Sequence, residues 1–136
     1  MKVYIAGRLH NKEAKETLEK IDSLCKSLGF QTFLPHRDVG PAESIKDVNR
    51  IFEGDIMLGF KGCSLIIALL DGLHVGAGTA WELGYAYAHN VSAIGLKQDE
   101  PVKDVLDSLS AILIASMPIV SSFKELEEKL KEFKNS

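Results

Sequence analysis

Residues 65–88 read LIIALLDGLHVGAGTAWELGYAYA, and this stretch decides the fold. Leu65–Leu70 is a short, unbroken apolar run rich in branched side chains, closed by Asp71-Gly72. Such a run reads as a parallel strand buried on both faces. A glycine-rich loop follows, and Thr79-Ala80-Trp81-Glu82 opens a helix. That helix is apolar almost all round, which predicts burial. Glu82 falls in its first turn, and glutamate is rarely buried without a partner or a task. Thr79-x-x-Glu82 also fits a capping box, with Glu82 bonded back to the Thr79 amide. The two readings are compatible. A helix N-terminus favours an ionised carboxylate, and an ionised carboxylate at the mouth of a strand–loop–helix crevice is a ready nucleophile.

Outward from this unit, strand and helix signals alternate. Val3–Ala6 is the first strand. Asn11 caps a helix with apolar positions at Ala14, Leu18, Ile21, Leu24, Cys25 and Leu28, the three-and-four spacing of one helical face. Gly29 ends it. Gln31–Leu34 is the second strand, closed by Pro35. Ser44 starts a second helix carrying Ile45, Val48, Ile51 and Phe52 on one side. Ser64–Leu70, Ser92–Leu96 and Ala111–Ala115 are the third, fourth and fifth strands, with Thr79–Asn90 the third helix and a short helix over Asp104–Leu109. Ser122-x-x-Glu125 is a capping box for a last helix with an inner stripe of Phe123, Leu126, Leu130 and Phe133.

Alternating strands and helices imply right-handed crossovers and a mainly parallel sheet. Five strands in 136 residues suit one flavodoxin-like α/β domain: a three-layer αβα sandwich with a parallel sheet in the order 2-1-3-4-5. Ligands then bind beyond the carboxyl ends of the strands, at the switch point between strands 1 and 3. The loops leaving those strands begin at Gly7 and Asp71. Fold logic and the Glu82 motif therefore point to one crevice.

The bulk properties narrow the classes. The net charge is −3, whereas nucleic-acid binders usually present a basic face. No apolar stretch is long enough for a membrane span, and Met1-Lys2 leads straight into a strand rather than a signal-peptide core. Cys25 and Cys63 are expected as reduced core residues of a cytoplasmic protein. No CxxC or HxxxH spacing occurs, so no metal is expected.

Several further residues are candidates. Asp55 falls on the apolar side of its helix, three and four residues beyond Phe52 and Ile51, where an unpartnered carboxylate is costly. It is either satisfied by a backbone amide where Gly54 loosens the helix end, or a functional acid. Asp71 and Gly72 form a turn or, at the crevice, a substrate contact. Gly7 and Gly78 suit a close backbone approach to a ligand. His36, Arg37 and Asp38 follow the second strand, as a base-pocket wall or a polar surface loop. Ala80, Gly84 and Ala88 read as a stripe of tight helix–sheet packing.

Taken together, LDGxxxxxGTAWELGYAYA resembles the signature of the nucleoside 2-deoxyribosyltransferase family. Tyr4-Ile5-Ala6-Gly7 is similar to that family's first strand and loop, Phe33-Leu34-Pro35-His36-Arg37-Asp38 to its second, and Ile51-Phe52-Glu53-Gly54-Asp55 to its third element. The likeness runs from about residue 2 to about residue 96. It implies that Glu82 attacks the anomeric carbon of a nucleoside, that a covalent deoxyribosyl-enzyme forms, and that a second acid, matched by Asp55, protonates the departing base. It also implies that the Tyr4 hydroxyl holds the nucleophile's oxygen. No cofactor is required, because both half-reactions are displacements at one carbon. The expected partners are nucleosides or nucleotides and free nucleobases, with no nucleic acid or membrane, and a homodimer or higher homo-oligomer in which a neighbour closes the site.

The chain departs from the family in three places. Gly76 stands where many members carry an aspartate six residues before the nucleophile. Gly7-Arg8-Leu9-His10 replaces the common Gly-Pro after the first strand. Only Ser110-Ala111 stands near where a neighbouring subunit's asparagine is expected. Arg8, His10 and Lys12 beside the crevice would suit a phosphate. That combination leans toward the related nucleoside 5′-monophosphate N-glycosidases, with water as acceptor. A nucleotide-binding module that has lost turnover is the alternative of another class.

Overall fold

The computed structural model describes the backbone of residues 1–136 and all side chains except those of residues 102–104. Five parallel strands form one sheet, β1 (Lys2–Ala6), β2 (Gln31–Phe33), β3 (Cys63–Leu69), β4 (Ser92–Leu96) and β5 (Ile119–Val120), in the order β2-β1-β3-β4-β5. β1 pairs on one side with β2, Tyr4 opposite Phe33, and on the other with β3, Tyr4 opposite Ile66. β3 is buried from Leu65 to Leu70, as an apolar strand covered by helices on both faces must be.

The two faces carry separate cores. On one, Val3, Ile5, Leu65 and Ile67 pack with α1 (Lys12–Ser27) and α6 (Phe123–Lys134) through Leu18, Ile21, Leu126 and Leu130. On the other, Tyr4, Ala6, Ile66 and Ala68 pack with Ile56, Phe60, Leu83 and Ala86. The α1 boundaries follow local chemistry. Asn11 Oδ1 accepts the Ala14 amide at 2.7 Å. At the other end Gly29, at φ 91°, lets Phe30 N–H reach back to the Cys25 carbonyl, the Schellman closure. The Ser122 side chain likewise caps α6, accepting the Glu125 amide.

Several expectations need correction. Residues 111–115 are not the fifth strand. They lie in α5 (Ala111–Ser116), and the edge strand is the two-residue β5 beyond Pro118. The run AILIA is too short for periodicity to separate strand from buried helix, and Ser110 decides it by capping the Ile112 amide. A 3₁₀ turn over Val102–Asp107 precedes it in place of a short helix over Asp104–Leu109.

The segment after Ser44 is not one helix. A 3₁₀ turn at Ile45–Asp47, capped reciprocally by Ser44 and Asp47, runs into α3 (Val48–Phe52) and then a π-helical turn at Glu53–Leu58. Its apolar residues Ile45, Val48 and Phe52 are exposed rather than packed in the core. A short helix, α2 (Pro35–Asp38), also replaces the loop expected after β2.

The helix after β3, α4 (Ala77–Ala88), begins two residues earlier than Thr79, with Gly76 as its cap residue. Thr79-x-x-Glu82 is therefore not a capping box, and Glu82 falls in the second turn. Nor is α4 buried all round. Thr79, Leu83 and Ala86 face the sheet, while Trp81 is 51% and Tyr87 71% exposed. Gly84 and Ala88 are exposed too, and nothing lies within 4 Å of where a Gly84 Cβ would stand. The small-residue stripe faces outward and contributes no helix–sheet packing. Among the described residues, no helix is long and apolar enough to cross a membrane.

Candidate active site

A cleft of about 660 Å³ opens beyond the carboxyl ends of β1 and β3, lined by Gly7 and Arg8, by Ala42, by Val48–Ile56 residues, and by Gly76–Glu82 residues of α4. This is the switch point of the sheet, where the two central strands send their connections to opposite sides.

Glu82 and Asp55 face the cleft from different elements. Burial raises Glu82 to about 7 from the ordinary 4.5, and the nearby Asp55 charge adds to that rise. The Tyr4 hydroxyl donates a hydrogen bond to Glu82 Oε2 and opposes the rise by favouring the ionised form. The expected helix-terminus stabilisation of the carboxylate is thus outweighed by burial, since the second turn lies beyond the reach of the terminal amides. Tyr4 is 0% exposed. Its ring lies between Phe60, at 4.0 Å and 10° interplanar, and Phe33, at 5.3 Å and 28°. Those stacked rings fix the phenol, and the same burial, with Glu82 beside it, pushes its ionisation far above the ordinary range.

Asp55 stands in the π-helical turn, closed by Gly59 N–H on the Gly54 carbonyl at 2.9 Å. Such turns often aim a functional side chain. Asp55 Oδ1 is buried and has no hydrogen-bond partner, so the backbone-satisfied reading is not what the structure holds. Burial raises Asp55 to about 6, against a lowering by the Arg50 charge. An unsatisfied buried carboxylate oxygen costs stability.

The remaining candidates separate. Gly7, Arg8 and Gly78 line the cleft; Asp71, Gly72, His36 and Asp38 are not among its lining residues. Asp71 Oδ1 accepts the Gln98 amide at 2.7 Å, tying the end of β3 to the end of β4. Asp38 accepts the Leu34 amide and pairs with Arg37, which reaches Asp22 on α1 at 2.9 Å. His36 sits 3.4 Å from Glu19. These groups brace β2 against α1. Gly76 packs on Arg8, whose Cβ lies 3.2 Å from where a Gly76 Cβ would stand. Among the described residues Arg8 makes no ion pair.

Sequence reasoning missed the apolar wall. Trp81 and Phe52 meet edge to face at 5.7 Å, and Trp81 stacks on Tyr85 at 5.6 Å and 14°. Their i, i+4 spacing on α4 was visible, but which face turns outward was not. It also missed Lys97, 1% exposed at the end of β4; a charge closing the apolar run Ala93–Leu96 was the available signal.

A sequence model of the nucleoside 2-deoxyribosyltransferase family matches residues 3–117. A search of the curated proteins finds no match. Among solved structures, the chain is similar to a 2-deoxyribosyltransferase of Bacillus psychrosaccharolyticus, at 19% identity and TM-score 0.74 over 93% of this chain and 90% of that one. It is similar to a conserved protein of Enterococcus faecalis V583, at 23% identity and TM-score 0.71 over 97% and 98%. It is also similar to a CMP N-glycosidase of Clostridium botulinum, at 20% identity and TM-score 0.60 over 96% and 99%. At these identities the structural likeness speaks to the fold, and the sequence match speaks to the family. By its sequence and its fold, the chain belongs to the nucleoside 2-deoxyribosyltransferase family.

Proposed function

We propose that the protein cleaves the N-glycosidic bond of a (deoxy)nucleoside and transfers the deoxyribosyl group to another nucleobase, with Glu82 as nucleophile and Asp55 as acid and base. The observation that carries this reading is the pairing in one cleft of a Tyr4-held Glu82 with an Asp55 whose inner oxygen has no partner. Ionised Glu82 attacks C1′. The C1′–N bond breaks, its electron pair stays on the base nitrogen, and Asp55 supplies the proton the leaving base needs. A second base then attacks C1′, gives its N–H proton to Asp55, and releases Glu82. Tyr4 steadies the carboxylate in both half-reactions. Gly78, with open space where a Cβ would stand, allows the sugar close to the backbone, and Trp81 and Phe52 offer faces to the base.

A second reading keeps the site and changes the acceptor: a hydrolase of (deoxy)nucleoside 5′-monophosphates, with water in place of the second base. One observation favours it. Arg8, unpaired among the described residues, lies beside Gly76 and Gly78 at an α4 N-terminus without a side-chain cap, a setting suited to a phosphate.

The test is a product assay with deoxyinosine plus free adenine and, in parallel, with deoxynucleoside monophosphates. Glu82→Ala runs beside both. New deoxyadenosine establishes transfer. Free base and deoxyribose phosphate without exchange establish hydrolysis. No product from wild type in either arm refutes both readings and leaves a nucleotide-binding module.

A further inference from the structure

Lys97 closes β4 with its side chain inside the protein, 1% exposed. A buried ammonium is costly unless its donors are matched. Here Nζ lies 3.1 Å from the Leu70 carbonyl, 3.5 Å from the Gly72 carbonyl, 2.8 Å from Asp99 and 3.8 Å from Glu100. Both carbonyls belong to the start of the β3–α4 connection. Around Lys97 the two strand ends are buttoned reciprocally: Gln98 N–H donates to Asp71 Oδ1 at 2.7 Å, and Gly72 N–H donates to Asp99 Oδ2 at 2.7 Å.

The connection then meets the β1 loop twice. The His10 imidazole lies 3.6 Å from where a Gly72 Cβ would stand, and its Nδ1 is 3.2 Å from the Arg8 carbonyl. At the other end the Arg8 Cβ lies 3.2 Å from where a Gly76 Cβ would stand. Arg8 and Gly76–Gly78 form one wall of the cleft. Lys97 thus contacts the start of the segment whose far end, Gly76–Gly78, lines the cleft, while Glu82 is hydrogen-bonded by Tyr4.

We propose that Lys97 is a positioning residue for the substrate-binding wall of the cleft, fixing the β3–α4 connection through the carbonyl oxygens of Leu70 and Gly72. The proposal rests on the glycosyl-transfer reading for its kinetic test. It assigns Lys97 to binding geometry and not to the chemical step. A surface ion pair would do neither, but Lys97 is buried and bonds backbone, and small misplacements of a binding wall are costly in rate.

The test uses the whole chain as Lys97→Met, which keeps most of the length of the side chain and removes the donors. Leu130→Ala, in the core on the opposite face of the sheet, is a control destabilised without touching the connection. Amide hydrogen exchange over residues 71–78 and the separate KM and kcat of the better substrate are measured for each. In Lys97→Met, exchange is expected to quicken over residues 71–78, KM to rise about tenfold and kcat to fall less than KM rises. In Leu130→Ala, loss of thermal stability comes without those changes. A Lys97→Met protein with unchanged KM, or with exchange quickened to the same extent everywhere, overturns the proposal. If Lys97→Met does not fold, Lys97→Gln, whose amide still donates to one carbonyl, carries the same measurements, and failure of both to fold overturns it in favour of a purely structural ion pair. If wild type turns over no nucleoside or monophosphate, the functional reading fails alone, and the exchange pattern still decides whether Lys97 holds the connection.

Discussion

Removing the charge of Glu82 should stabilise this protein, and only where that charge exists. Burial raises the carboxyl from 4.5 to about 7. The folded state therefore binds a proton that the unfolded chain has lost, and stability falls as pH rises from below 4.5 through about 7. At ~1.4 kcal/mol per pKa unit, the full cost of ionising Glu82 in place is about 3 kcal/mol, reached above pH 7. Glu82→Gln keeps an oxygen to accept the Tyr4 hydroxyl and carries no charge to desolvate. Its advantage over wild type should be small at pH 5 and about 2–3 kcal/mol larger at pH 8. For a chain of this size ~1 kcal/mol moves Tm by roughly 3 °C, so the Tm gain should be roughly 8 °C greater at pH 8 than at pH 5. Calorimetry of both proteins at both pH values measures this, and taking the difference between them cancels the other titrating groups. Turnover should vanish in the same variant, the usual trade between a strained site and stability. A Tm difference independent of pH, or a variant less stable at pH 8, would refute the reasoning.

Three further outcomes follow from the site. The proposed mechanism needs Glu82 ionised and Asp55 protonated, the minor arrangement of the one proton the pair shares when Glu82 is near 7 and Asp55 near 6, and kcat/KM should be bell-shaped with limbs near 6 and 7; Tyr4→Phe removes a bond that favours ionised Glu82, so its upper limb should move to higher pH and its maximum fall roughly tenfold, whereas an unshifted profile removes Tyr4 from the site. Arg8→Ala should raise KM about tenfold or more for 5′-monophosphates and little for nucleosides, and equal effects on both would deny Arg8 a phosphate. The exposed Tyr87 and Ile112 fit the homo-oligomer expected from the apolar α4 sequence, and sedimentation at micromolar concentration showing a monomer would end that expectation.

Much of the fold could be read from local pattern. β1 to β4, α1 with Asn11 and Gly29 at its ends and α6 with its Ser122 cap follow from periodicity and capping chemistry, which act within a few residues; the strand order follows from the alternation of strands and helices along the chain. The crevice followed from topology, and Glu82 from an acid placed inside an apolar motif. What misled was apolar character taken as burial. AILIA at 111–115 is a helix capped by Ser110, and Val48 and Phe52 line a cleft where a core stripe was expected.

The sequence by itself determined most of the elements and singled out Glu82 as a candidate, because propensity, patterning and short-range hydrogen bonds are local. The tertiary structure alone decided the electrostatics: that Glu82 rises to about 7, that Asp55 is left without a partner, that Asp71 ties β3 to β4, and that Lys97 is buried among backbone oxygens. Those depend on which residues distant in sequence share a low-dielectric space, and neither solvation nor charge–charge distance is written in any single stretch of chain.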